Sequence, residues 1–333
     1  SSQAEAPLVY RLAETALERD QEDRATMLAE LARTKPLDTQ TRLMMAKSLE
    51  DKGRFDWAEK EYLKVIEENP PESGDIGETA TRWLAAMYHD QLRDLEAADL
   101  IAEVLKKIEA QNTGISAVPT TRSAALQYRM HYYRAVHLKR EGDLKGHREH
   151  ILEAFQCREA DTDVLIAVFN LPDLTEQEQT DLNQRMTTML NLAEQQIRNA
   201  GTIHRAIPGN PGVTGPVPDP VPLNLYAWLV GNTKGDIERA IRYSKQSIQI
   251  CEKYPTIYPN PGGFYDTLAH CYANKKDYVR AVETQQKAAE LEPHSGIIAE
   301  KLKVFEAARE AQKKEQASAT EDKVDGPAPA LPR

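Results

Sequence analysis

Apolar and polar positions along the chain follow a helical period, and the periodic stretches come in pairs. Residues 43–70 read LMMAKSLEDKGRFDWAEKEYLKVIEENP: one amphipathic stretch, a turn at Gly53, a second stretch, then Pro70. Residues 264–293, FYDTLAHCYANKKDYVRAVETQQKAAELEP, repeat that grammar with Lys276 at the turn and Pro293 at the stop. Two short amphipathic helices of this kind bury their apolar stripes by packing antiparallel. Small residues (Ala46 and Ala58, Ala269 and Ala281) fall where the helix axes approach most closely. Leu49, Phe55, Tyr62, Tyr272 and Tyr278 then fill the space between one pair and the next. Both prolines lie just past the last turn, where a missing N–H costs little. The pattern predicts an all-α fold.

At these residues the chain resembles the tetratricopeptide repeat (TPR) family. Its unit carries, in order, a small residue, a large one, a turn Gly, an Ala, an aromatic, a second Ala and a Pro. Residues 39–72 match through Ala46, Leu49, Gly53, Ala58, Tyr62, Val65 and Pro70. Residues 262–295 match through Ala269, Tyr272, Ala281, Ala288 and Pro293, and depart at Lys276 and Gln285. Residues 6–39 fit more loosely through Leu12, Ala13, Ala16, Ala25, Ala29 and Ala32. Degenerate units follow at 78–111 (Leu84, Ala85, Tyr88, Ala97), 128–161 (Ala135, Leu138, Gly142, Ala154) and 221–254 (Ala227, Gly235, Ala240). The resemblance implies a helical-hairpin solenoid of about fourteen helices, with a capping helix near 297–313 to cover the last apolar edge.

Two interruptions break the series. Residues 175–200 form a long helix candidate, opened by a Thr175–Glu178 capping box and striped by Leu182, Met186, Met189, Leu190, Ala193 and Ile197. Residues 207–222, IPGNPGVTGPVPDPVP, hold six prolines and three glycines and read as neither helix nor central strand. They are a linker or a polyproline segment offered to a partner. The expected organisation is an N-terminal TPR-like block over 1–160, a long-helix insertion over 161–206 and a proline-rich connector over 207–222. A C-terminal TPR pair with its capping helix follows over 223–315, then a disordered tail over 316–333.

Composition narrows the function classes. The 333 residues carry a net charge of −10 with 28% charged side chains, which argues against a protein that neutralises phosphate backbones. No apolar run is long enough to span a bilayer. The chain begins Ser1-Ser2 rather than with Met, which points to a truncated or processed N-terminus and leaves the compartment unread. Cys157, Cys251 and Cys271 form no C-x-x-C pair. They read as three reduced thiols, with a Cys251–Cys271 disulfide as the alternative in an exported protein.

No nucleophile elbow, phosphate loop or H-E-x-x-H motif is present, so no catalytic residue and no cofactor is expected. His147 and His150 stand one helical turn apart and would need a third ligand from elsewhere to hold a metal. None is evident nearby in the sequence, so no metal is expected. Residues 128–158 hold 7 Lys/Arg against 4 Asp/Glu, a local net of +3 in an acidic chain. In TPR arrays the first helix of each unit lines a concave groove. The resemblance puts Arg129, Tyr132, Val136, Lys139 and Arg140 at its lining positions.

Such a groove would clamp an acidic peptide or a C-terminal carboxylate, unless those cations pair with acidic neighbours. The family's chaperone-tail clamp needs a Lys and an Asn where this chain has Tyr10 and Glu14, or Leu43 and Lys47. That partner is therefore not expected. The reading is a non-catalytic scaffold or adaptor that binds a protein or peptide. The alternative is a regulatory or substrate-recruiting region of a larger enzyme such as a bacterial kinase.

Overall fold

The computed structural model describes residues 5–71, 74–111, 121–157, 161–199 and 217–324, and in them fifteen α-helices. The chain divides into two compact units, residues 1–160 and 161–333. Unit 1 holds α1 (Glu5–Leu17), α2 (Glu22–Thr34), α3 (Thr39–Asp51), α4 (Phe55–Glu68), α5 (Asp75–Asp90), α6 (Asp94–Gln111), α7 (Thr121–Arg140) and α8 (Leu144–Gln156). Unit 2 holds α9 (Thr162–Phe169), α10 (Glu176–Arg198), α11 (Val221–Asn232), α12 (Ile237–Lys253), α13 (Gly262–Asn274), α14 (Tyr278–Leu291) and α15 (Gly296–Val324). Successive helices pair as antiparallel hairpins, and the hairpins stack within each unit. Each unit is a stack of helical hairpins, the arrangement that the resemblance implied.

The alanines explain the close stacking. Ala46, Ala58, Ala269 and Ala281 are each fully buried, and Leu49, Tyr62 and Tyr272 fill the cores around them. Gly231 takes the same role to its limit: a Cβ there would sit 2.8 Å from the Cys271 sulfur, so α11 and α13 approach only because the side chain is absent. The hairpin turns share a device. Gly53 (φ 69°), Gly142 (φ 82°) and Lys276 (φ 61°) all take the left-handed conformation that reverses the chain. At three turns an Asp follows at once and caps the next helix, Asp143 onto Gly146 N, Asp236 onto Arg239 N and Asp277 onto Arg280 N. Lys276 thus performs the glycine's task while carrying a Cβ.

Each unit buries polar groups of its own. In unit 1 the Arg42 guanidinium donates to Glu61 at 2.6 Å, with both side chains almost fully buried. Tyr10 donates its hydroxyl to the other Glu61 oxygen. Burial, reinforced by the Glu61 charge, pushes that hydroxyl well above its usual range and keeps it a donor. The set ties α1, α3 and α4 together. In unit 2, His270 on α13 hydrogen-bonds Asn232 of α11 at 2.6 Å between the rings of Trp228 and Phe305. Gln285 on α14 donates to Asp266 at 2.6 Å and to the Ile298 carbonyl of α15 at 3.2 Å.

Several expectations change. Thr175 and Glu178 form the capping box, and α10 packs into unit 2. Its Ala193 is fully buried in the unit 2 core, with Leu190 and Ile197 packed on it. The fifteenth helix is α9, an eight-residue run with too little polar punctuation to show a period; Asp161 caps it. Val221 and Pro222, placed in the connector, open α11 instead. A helix's first turn needs no N–H from its residues, so proline fits there. Helix α15 continues to Val324, past the start expected for a disordered tail. Residues 200–216 and 325–333, which include most of the connector and the end of the tail, lie outside the described residues.

Candidate functional site

The α7 surface comes first because the sequence singles it out. Packing α7 against α6 brings two acids onto its cations: Arg140 pairs with Asp94, and Arg134 pairs with Asp99 at 2.7 Å. Asp94 is itself almost fully buried and also meets the His89 ring nitrogen. Tyr132 lies edge-on to His89 and to Tyr133, with ring centroids 5.7 and 5.8 Å away, and packs on the core. The Arg129 guanidinium stands 5.3 Å from the Tyr128 ring centroid, and Lys139 is exposed. Arg129, Tyr132, Lys139 and Arg140 all lie on α7. Arg140 keeps about a third of its side chain exposed while it pairs with Asp94. The local excess of +3 falls to +1 once Asp94 and Asp99 are counted with residues 128–158.

The two histidines one turn apart also separate. His147 is buried and bonds the Ala135 carbonyl at 3.0 Å, where burial lowers its pKa. His150, half-buried, turns toward His131 of α7. The cysteines are free thiols. Burial pushes Cys251 up to about 11 and Cys271 up to about 12, so neither is a nucleophile at neutral pH.

Unit 2 contains a built cleft of about 530 Å³ between α10, the segment before α11, and α12. Leu192, Ile197, Val221, Leu223 and Ile250 form its apolar walls, and Gln195, Gln196 and Asn199 its amide rim. The wall is held from behind. The Asp219 carboxylate accepts from Val221 N at 2.9 Å, and the Tyr258 hydroxyl donates to the Pro218 carbonyl at 3.2 Å. Leu192 and Val221 remain 48% and 54% exposed, too much for core residues. A smaller hollow of about 420 Å³ in unit 1 sits at hairpin turns and mixes Glu22, Arg54 and Asp56 with Phe55 and Trp57.

Sequence reasoning missed the cleft. Its one visible trace is Leu192, an apolar residue lying off the Leu182–Met186–Ala193 stripe of α10. Ile197 lies on the same helix, and Val221, Leu223 and Ile250 come from farther along the chain.

The tetratricopeptide repeat family model matches residues 263–295, which are the α13–α14 hairpin and its flanks. Residues 263–295 therefore carry a tetratricopeptide repeat. This TPR hairpin sits inside a series of like-built hairpins, and TPR repeats are protein–protein interaction modules. The crystal structure of the P58(IPK) TPR domain aligns at 16% identity over 93% of this chain and 90% of that one, with a TM-score of 0.22. A superposition that loose carries no argument. No curated protein matches the chain. Among the described residues, no helix is long and apolar enough to cross a membrane.

Proposed function

We propose that this TPR protein is a non-catalytic interaction module that holds an apolar peptide segment of a partner protein in the unit 2 cleft. The observation that carries the reading is the pair Leu192 and Val221, both left about half exposed in the lining of a braced, apolar-walled cleft. A groove of this kind seats apolar side chains, and the rim amides of Gln195, Gln196 and Asn199 suit the polar backbone of a bound segment. The affinity would come from several modest contacts on a preformed surface. The cleft offers carboxamides and one helix-capping carboxylate, so an acidic partner gains nothing there. Arg129, Tyr132 and Lys139 on α7 form the rival surface.

The test is selection from a phage-displayed random peptide library on the purified chain, followed by fluorescence anisotropy with the selected peptides. Apolar peptides should emerge, and Leu192→Asp with Val221→Asp should weaken them at least tenfold. Arg129→Glu with Lys139→Glu should leave their affinity unchanged. Selection of acidic peptides that lose affinity only in the α7 variant would move the site to α7 and overturn the cleft reading.

A further inference from the structure

The α7–α8 hairpin brings together three groups that the peptide-binding reading does not use. The turn at Gly142 sets the register so that His131 of α7 lies opposite His150 and Glu153, which share one face of α8 at i and i+3 spacing. His131 Nδ1 and His150 Nδ1 are 3.1 Å apart. Glu153 Oε2 is 2.9 Å from the first and 2.7 Å from the second. The three atoms make a nearly equilateral triangle. Their side chains are 14%, 25% and 50% exposed, so the imidazoles sit inward and the carboxylate faces water.

We propose that His131, His150 and Glu153 form a binding site for a divalent transition-metal ion of the zinc class. Two imidazoles with one carboxylate are the donor set such ions take, and three protein ligands leave a position for water or a ligand of the ion. Tetrahedral bonds of about 2.0–2.2 Å put neighbouring donors about 3.3–3.6 Å apart. The edges of the triangle therefore need to open by about 0.2–0.9 Å, a movement within reach of side-chain rotation. Hard cations such as magnesium are disfavoured by two nitrogen donors. The nearby cation, Arg134, is bound to Asp99. Burial lowers the His131 pKa, which favours the neutral, ligating form at pH 7. The His147–His150 pair thus supplies only one ligand; its partners come from the neighbouring helix and from the next turn. The inference is independent of the peptide cleft.

The experiment is titration of the untagged, chelator-treated full chain with Co²⁺, read by visible absorption, and with Zn²⁺, read by calorimetry. We expect one ion per chain, strong Co²⁺ bands displaced by Zn²⁺, and at least a tenfold loss of affinity in both His150→Gln and Glu153→Gln. Helical circular dichroism should be unchanged, since both side chains are partly exposed. His137→Gln, outside the triangle, and Cys157→Ser, one turn beyond Glu153, should bind as the parent does. No binding by the parent would overturn the proposal. So would equal binding by all variants, or a loss confined to Cys157→Ser.

Discussion

The two units solve the same packing problem with different buried chemistry. Both stack hairpins on alanines, and both bury polar side chains that cross-link three helices. Unit 1 does so with a full ion pair, Arg42–Glu61, and a tyrosine hydroxyl on the same carboxylate. Unit 2 places an imidazole against an amide, and an amide against a carboxylate and a backbone carbonyl. A buried ion pair is stable only while both members are present, because either charge alone is stranded without solvent. A buried imidazole needs no counter-charge so long as it stays neutral. Unit 1 is therefore the more vulnerable to loss of a partner, and unit 2 the more sensitive to protonation.

The largest test of this contrast is Arg42→Met, which strands the Glu61 carboxylate and should destabilise unit 1 by about 3–5 kcal/mol in urea unfolding. The triple variant Tyr10→Phe, Arg42→Met, Glu61→Leu should recover much of that loss, since apolar groups of similar volume replace the charges and the hydroxyl that Glu61 accepts from. A small effect of the single change would mean that the pair adds little. That result would erase the difference between the units.

Acid comes next. Desolvation, with the Lys301 charge as a lesser cause, depresses His270 to about 3. The unfolded chain protonates that imidazole near its ordinary pKa of about 6.5, so below that pH the unfolded state binds more protons. Stability from this residue is complete above about pH 6.5 and is lost as pH falls toward the folded value, by up to about 1.4 kcal/mol per pH unit. Asp266, 3.9 Å away across one turn, is the carboxylate that could blunt the slope. His270→Asn should flatten the acid limb of unfolding followed by circular dichroism. An unchanged limb would place the acid sensitivity elsewhere.

The smallest expected effect is at the turns. Lys276 holds φ at 61° with a side chain, where Gly53 and Gly142 need none. Left-handed geometry costs a non-glycine residue about 1–2 kcal/mol, while glycine loses about 0.4–1 kcal/mol through the unfolded chain. Lys276→Gly should therefore raise stability by about 0.5 kcal/mol, seen as a small rise in the urea midpoint. The reciprocal change Gly142→Lys should lower it by a similar amount.

Much of the fold was legible. Regular apolar spacing, paired alanines and turn residues located the hairpins of α1–α8 and α11–α14. The α9 helix escaped because an unbroken apolar run has no period to read. Pairing between helices was not legible along the chain. Local charge counting saw Arg140 but not Asp94, which sits 46 residues earlier and meets it only when α6 packs on α7. The same packing explains His150, whose third partner was sought along the sequence and lies across the hairpin.

The sequence by itself determined the architecture, because helix period, alanine crossings and turn chemistry act over a few residues and repeat from one unit to the next. Tertiary structure alone decided which side chains converge. It matched α7 cations to α6 carboxylates, set His131 against His150 and Glu153, and gathered Leu192, Val221 and Ile250 into one cleft. The physical reason is range. Backbone preferences and amphipathic stripes are local, whereas charge pairing, metal-ligand geometry and exposed apolar walls depend on distances of a few ångströms between residues far apart in the chain.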